Sequence, residues 1–395
     1  MTFQVFRGIN YTEKFIQESN QQVSGTANSD WFVVEGSNNV VNTQDGNDVV
    51  LLGRKVDSIF HLDTSIFSGE VLQTSPLSIN CYEFDNLVRT GAGDDYVSLG
   101  VGNNRIFLGD GNNFLDDYGG NYVFDADNNI IGLGAIPKLF ASAGAGDDIF
   151  YLSGFADRTI NAGKGNNLIF LGAGDAKIDT GSGNDVITSE ASALTYIFDS
   201  KSPSYRQNIT AGNGDNQIAV IPYGQTTIKT GNGEDFIVAV GIPSSSFAKI
   251  DTGDGNDTVI TNDTNSMIKS GSGNNLIFAG SGNDSIRVGN GNNLINLRGG
   301  TVCLSETLSK DTNLFGSSVE VKAGGNDNVY LGEGENTVVL GSSGFASIYG
   351  FGCNDRLNIS GLNASFSQVG RDTLISSCGT SLGVIKEYTG SVKLA

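Results

Sequence analysis

The chain has 395 residues, with 55 Gly, only 5 Pro and no strict triplet period, which excludes a collagen-like rod. Asp and Glu total 43 against 23 Lys and Arg, a formal charge of −20, so the chain repels nucleic acid and anionic membrane surfaces. No run of about 18 apolar residues is present to cross a membrane as a helix. Cys81, Cys303, Cys353 and Cys378 show neither metal-ligand spacing nor a disulfide framework. They read as buried thiols, with a Cys353–Cys378 pair as the alternative.

Residues 1–25 carry no repeat and lack the basic start and apolar core of a secretory signal. From Asn28 a phrase recurs: Gly-x-Gly, two Asn or Asp residues, then a short apolar run. Glycine allows backbone angles closed to other residues, and Asn and Asp tolerate corners and hydrogen-bond locally. The apolar residue then sits in a strand of three or four residues whose neighbours point the opposite way. One such unit cannot bury its apolar face alone, whereas stacked copies can, and this predicts an all-β chain folded as a parallel β-solenoid.

The first corner is Asp45-Gly46-Asn47-Asp48, and residues 53–88, which hold the only His, His61, interrupt the pattern. Residues 89–118 give three units, with Gly93, Gly102 and Gly111. An irregular stretch at 119–141 precedes Gly146, Gly165, Gly174 and Gly183, and another covers 191–208. Corners at Gly214, Gly233, Gly255, Gly273 and Gly291 are then spaced by 19, 22, 18 and 18 residues, one coil of about 18–22 residues per step. One side of the solenoid therefore carries the well-formed corners, and the opposite corner is often degenerate, as in Ile221-Pro222-Tyr223-Gly224. A further insertion spans 298–320, and the phrase returns at Gly325 and Gly334. The expected organisation is an N-terminal cap or assembly segment at 1–25, a solenoid at 26–355, and a C-terminal region at 356–395.

Phrases such as Thr90-Gly91-Ala92-Gly93-Asp94-Asp95-Tyr96-Val97 and Thr252-Gly253-Asp254-Gly255-Asn256-Asp257-Thr258-Val259 resemble the calcium-binding nonapeptides of RTX proteins, Gly-Gly-x-Gly-x-Asp-x-U-x with U a large apolar residue. The resemblance implies a β-roll with Ca2+ between successive corners, held by corner carbonyls and the sixth-position Asp. It also implies an extracellular or cell-surface protein, exported by a type I-like route without a cleaved N-terminal signal, with a secretion-signal-like region at 356–395. Two departures stand out. The first Gly of the family is mostly Thr, Ala or Ser here. The sixth position is Asp at Asp48, Asp95, Asp148, Asp185, Asp235, Asp257, Asp284 and Asp327, the expected metal ligands, but Asn at Asn104, Asn113, Asn167, Asn216, Asn275, Asn293 and Asn336. Hard cations prefer carboxylate oxygens, so not every corner should hold an ion.

Stacked coils lie roughly 4.8 Å apart, and at an effective dielectric near 20 each adjacent carboxylate pair repels by about 3 kcal/mol. A bound cation, an Asn in place of Asp, or a raised pKa relieves this. Asp-rich neighbours such as Asp235 and Asp257 are expected to hold Ca2+, and Asn neighbours such as Asn275 and Asn293 to form amide ladders.

With a single His, a His-based triad is improbable, and the Gly-x-Gly phrases lead into strands rather than the helix N-terminus that a phosphate site needs. The expectation is a non-catalytic extracellular structural protein that self-assembles into a filament, sheath or surface layer. The alternative is a polysaccharide-binding or polysaccharide-modifying solenoid of lyase or epimerase kind. For that reading the basic groups are Arg89, Arg105, Arg158, Arg206 and Arg287, and no spacing converges them. Ice binding ranks low, because the residue between the glycines is Ala92, Val101, Asp110, Lys164, Ser182, Asn232, Ser272 or Asn290, and never Thr.

Overall fold

The computed structural model describes residues 5–6, 9–52, 85–117, 122–124, 130–133, 136–189, 205–222, 224–240, 246–262, 264–303, 318–322 and 324–395. It is all-β, and the parallel β-solenoid implied by the repeats is the fold observed. The chain divides into two compact units, residues 1–164 and 165–395.

In the first unit one parallel sheet runs through Thr12–Ile16, Asp30–Val34, Val49–Leu52, Tyr96–Leu99, Phe114–Asp117 and Ile149–Phe155. The second runs through Gln22–Ser24, Val40–Asn42, Leu87–Arg89, Asn104–Phe107, Lys138–Ser142 and Asp157–Asn161. Two of these strands, Thr12–Ile16 and Gln22–Ser24, lie inside residues 1–25, so parallel stacking begins before the first Gly-x-Gly phrase.

The second unit repeats this scheme. Its first sheet passes from Leu168–Ala173 and Val186–Ser189 through Gln217–Val220, Phe236–Val240, Thr258–Asn262, Leu276–Phe278 and Leu294–Asn296 to Thr337–Val339 and Arg356–Asn358. Its second sheet passes from Ala176–Asp179 through Arg206–Gly212, Gln225–Thr230, Phe247–Asp251, Asn265–Ser270, Ser285–Val288 and Asn326–Tyr330 to Phe345–Tyr349. The end is built differently. Ala364–Val369, Asp372–Ser377 and Thr380–Ile385 form an antiparallel meander whose last strand pairs in parallel with Phe345–Tyr349. Leu357 exchanges backbone hydrogen bonds with residues 393–395.

The core is built on columns of apolar residues stacked in register. Ile218, Ile237, Val259, Ile277 and Ile295 are fully buried between the sheets, facing Ile209, Ile228, Ile250, Ile268 and Ile286. Tight stacking forces glycine at the corners. A Cβ on Gly255, whose φ is +151°, would lie 1.7 Å from the Gly233 carbonyl oxygen of the coil before.

Outward-facing residues differ between the two sheets, which simple alternation does not foresee. On the second sheet of the second unit they are mostly polar and reach solvent, with Phe247 and Met267 as exposed apolar members. On the first sheet Ala219, Val238 and Ile260, which alternate with the core residues, are also fully buried. An antiparallel hairpin, Gly299–Cys303 with Ser318–Lys322, packs on Thr258–Asn262 there. The four irregular stretches share one origin. Each leaves the end of a first-sheet strand, at Leu52, Asp117, Ser189 or Asn296, and the chain next rejoins the second sheet at Leu87, Lys138, Arg206 or Asn326. The central parts of all four, with His61 and Cys81, lie outside the described residues. Cys353 and Cys378, read above as buried, are exposed and unpaired. The reason is that Cys378 occupies the turn of the final hairpin with φ +49°.

Candidate functional site

At every well-formed corner the sixth-position side chain turns inward and joins a ladder along the stack. Its Oδ1 accepts the backbone N–H of the same position one coil earlier. In the first unit this runs Asp30, Asp48, Asp95, Asn113, Asp148, with N–O distances of 2.8–3.1 Å. In the second unit it runs Asn167, Asp185, Asn216, Asp235, Asp257, Asn275, Asn293, Asn336, Asp355, at 2.9–3.3 Å. Asp284 and Asp327 do not belong to this column. They form their own step on the opposite corner, from Ser266 through Asp284 to Asp327. That corner carries Asn39, Asn86 and Asn104 in the first unit. The eight aspartates expected as ligands thus fall into two columns. Asp48 with Asp95, Asp235 with Asp257, and Asp284 with Asp327 are adjacent, whereas Asp185 stands between Asn167 and Asn216.

With Oδ1 committed to the ladder, chemistry is decided by the other terminal atom. In Asn it is Nδ2, and it donates to corner carbonyls and to the next rung. Asn293 Nδ2 donates to Gly289 O and Gly291 O at 3.2 Å each and to Asn336 Oδ1 at 2.8 Å. Asn275 repeats this toward Gly271, Gly273 and Asn293. Asn113 and Asn216 do the same toward their own glycine carbonyls and toward Asp148 and Asp235. In Asp an oxygen takes the place of that nitrogen, and it has nothing to donate. Buried Oδ2 of Asp48, Asp95, Asp235 and Asp284, and Oδ1 of Asp30, have no hydrogen-bond partner. An orphaned buried carboxylate oxygen costs several times what the bond is worth.

Burial pushes the following carboxyls up from their ordinary 3.8. Asp48, Asp257 and Asp284 rise to about 6, Asp95 and Asp148 to about 7, and Asp235 rises too. Asp327 is pushed up to about 8 by burial and then by the Asp284 charge beside it. Nearby hydroxyls oppose the shift: Thr252 Oγ1 donates to Asp257 Oδ2 at 2.5 Å and Ser266 Oγ to Asp284 Oδ1. Thr180 Oγ1 likewise donates to Asp185 Oδ2 at 2.6 Å. The first position of the phrase follows the sixth in most corners, with Ala143 before Asp148, Ala279 before Asp284, Lys322 before Asp327 and Ser270 before Asn275 as departures. Thr43, Thr90, Thr180, Thr230 and Thr252 precede Asp rungs, while Leu108, Ala162, Ala211, Val288 and Leu331 precede Asn rungs.

The donor set fits a hard divalent cation. Carboxylate oxygens and corner carbonyls converge where the Asn rungs place an N–H2 group, and oxygen donors of this kind suit Ca2+. The cluster is not made of side chains alone: among the described residues no three His, Cys, Asp or Glu side chains come together as a metal group. Two ladder members escaped sequence reasoning. Asp30 follows Gly25-Thr26-Ala27-Asn28-Ser29, which lacks the second glycine, and Thr26 N and Oγ1 both donate to its Oδ2. Asp355 closes the column, with Gly352 N on its Oδ2.

The five arginines do not stay scattered. Arg158 is buried and paired with Asp117 at 3.1 Å, and Arg206 pairs with Asp175 at 3.4 Å. Arg89 and Arg105, from neighbouring strands, converge on the Phe107 ring at 5.3 and 5.9 Å, and Arg287 lies 4.9 Å over Tyr330. Parallel pairing brings residues 18 apart side by side, which linear spacing hides.

A family model for the RTX calcium-binding nonapeptide repeat matches four times, at residues 24–59, 82–115, 159–187 and 269–301. The chain therefore carries RTX repeats, and the ion those repeats imply is Ca2+. No curated protein matches the chain. Among solved structures, a hyperactive, Ca2+-dependent, β-helical antifreeze protein from an Antarctic bacterium is similar at 18% identity, over 85% of this chain and 84% of that one, with a TM-score of 0.40.

Proposed function

We propose that this chain is an extracellular structural solenoid whose folded state is completed by Ca2+, and that it self-assembles. The observation that carries the reading is the contrast along one ladder. Asn rungs supply their own donors, while Asp rungs leave buried oxygens that need a cation or a proton. Asp30, Asp48 and Asp95 in the first unit, and Asp235, Asp257, Asp284 and Asp327 in the second, would hold Ca2+ together with corner carbonyls. The ion supplies positive charge where the chain has only acceptors. Because ligation needs ionised carboxylates, folding and calcium binding are linked, and low cytoplasmic calcium would keep the chain loose until export.

Among the described residues Thr12–Ile16 and Gln22–Ser24 each pair with one strand of the first unit, and residues 364–395 pack on the last coil of the second. Unsatisfied strand edges invite pairing, and unlike ends joined head to tail give an open filament. Electron microscopy of the protein in calcium and in chelator tests the proposal. Filaments or sheets in calcium, lost on removing residues 1–25, are the expected result; monomers at high concentration in calcium would overturn the assembly half.

A further inference from the structure

The outer face of the second sheet in the second unit is basic, on a chain of net charge −20. Lys177, Arg206, Lys229, Lys249, Lys269 and Arg287 all point outward and are exposed. Strand register arranges this face in three rows along the stack. One reads Asp179, Thr210, Lys229, Asp251, Lys269, Arg287, Tyr330, Tyr349. The second reads Lys177, Asn208, Thr227, Lys249, Met267, Ser285. The third reads Arg206, Gln225, Phe247, Asn265. Lys269 pairs with Asp251 at 3.1 Å and Arg206 with Asp175. Lys177, Lys229, Lys249 and Arg287 have no carboxylate partner among the described residues.

Apolar surface accompanies the charge. Phe247 is 38% exposed and Met267 45% exposed. Tyr330 and Tyr349 stack at 4.6 Å with rings 11° from parallel, and the Arg287 guanidinium caps the stack. We propose that this face binds a linear acidic polysaccharide carrying sugar carboxylates. The free cations pair with carboxylates, Asn208 and Thr227 between them offer hydrogen bonds to sugar hydroxyls, and the exposed Phe247 ring takes the C–H face of a sugar ring.

Shape and charge density select this occupant. Eight strands at about 4.8 Å give a strip about 34 Å long and one strand wide. That is about 550 Å2, some two thirds of the roughly 800 Å2 per partner of a stable protein contact, but suited to an extended chain. Neutral residues and two ion pairs separate the free cations, which matches spaced carboxylates better than the phosphate density of nucleic acid. The inference goes beyond the structural reading and does not depend on it.

The test uses the full-length protein in calcium with short oligosaccharides bearing galacturonate or glucuronate, a neutral dextran of equal length, and a single-stranded oligonucleotide. The acidic oligosaccharides should bind and the dextran should not. The triple variant Lys229→Gln, Lys249→Gln, Arg287→Gln should weaken binding on the order of tenfold with unchanged melting. Arg371→Gln with Lys393→Gln, exposed elsewhere, should leave binding unaltered. Four results would each overturn the proposal: no acidic oligosaccharide binds; the triple variant binds like the parent; the oligonucleotide binds equally well; or the triple variant abolishes self-association instead. A melting temperature indifferent to calcium would refute the calcium reading while leaving this assay readable.

Discussion

Asp235 and Asp257 lead directly into Asn275, Asn293 and Asn336 in the same ladder, and the two runs solve one problem differently. Both use Oδ1 to accept a backbone N–H from the preceding rung. The Asn run then closes on itself, each Nδ2 feeding the next Oδ1 and its own glycine carbonyls. The Asp run has oxygen facing oxygen. Asp235 Oδ2 is buried without a partner, and Asp257 Oδ2 relies on Thr252. The difference teaches that a stack of identical corners divides into rungs that are complete as folded and rungs that require something from solution.

The largest expected effect lies in the self-sufficient run. Asn293→Ala strips three donor contacts and the acceptor for Asn275, so denaturant unfolding should show a loss of about 3 kcal/mol, the same in calcium and in chelator. A loss that calcium rescues would erase the distinction between the runs. Next in size, Asn293→Asp turns a complete rung into an incomplete one. It should cost about 2 kcal/mol in chelator and recover in millimolar calcium, because a ligand of the folded state stabilises by mass action.

The pH dependence sharpens the contrast. The folded state holds protons on its buried carboxyls more tightly than the unfolded chain does. Their contribution is fully present below 3.8 and is lost as pH rises through about 6 for Asp48, Asp257 and Asp284, about 7 for Asp95 and Asp148, and about 8 for Asp327. In chelator the melting temperature should therefore fall from pH 5 to pH 8, and calcium should flatten that fall. A chelator profile that rises over this range would contradict the burial of these groups without a donor. The smallest effect is Thr252→Val, which removes the hydroxyl on Asp257 and should cost about 1 kcal/mol in chelator. Calcium titration would show whether that rung then depends on the ion more strongly.

Much of this was legible in the sequence, because glycine phrases at spacings of 18 to 22 residues dictate coils, and the apolar residue two places after the sixth position dictates the core. Asp30 was not, since its corner replaces the second glycine with Asn28 and only stacking on Asp48 reveals its role. The separation of Asp284 and Asp327 from the other six aspartates was hidden because both corners of a coil use the same phrase. The buried outer face at Ala219, Val238 and Ile260 had a signal, the continuous apolar runs Ile218–Val220 and Phe236–Val240, which belong to strands covered on both sides. The basic strip was hidden because its members lie a coil apart and meet only through strand register.

The central claim is that calcium belongs to the carboxylate rungs of the ladder and not to the amide rungs, and one comparison tests it most directly: calcium binding and melting of the parent chain beside Asp235→Asn with Asp257→Asn. The account predicts that the double variant binds fewer calcium ions, gains less melting temperature from calcium, and melts higher than the parent in chelator. An unchanged number of bound ions, with melting that responds to calcium as the parent does, would contradict it.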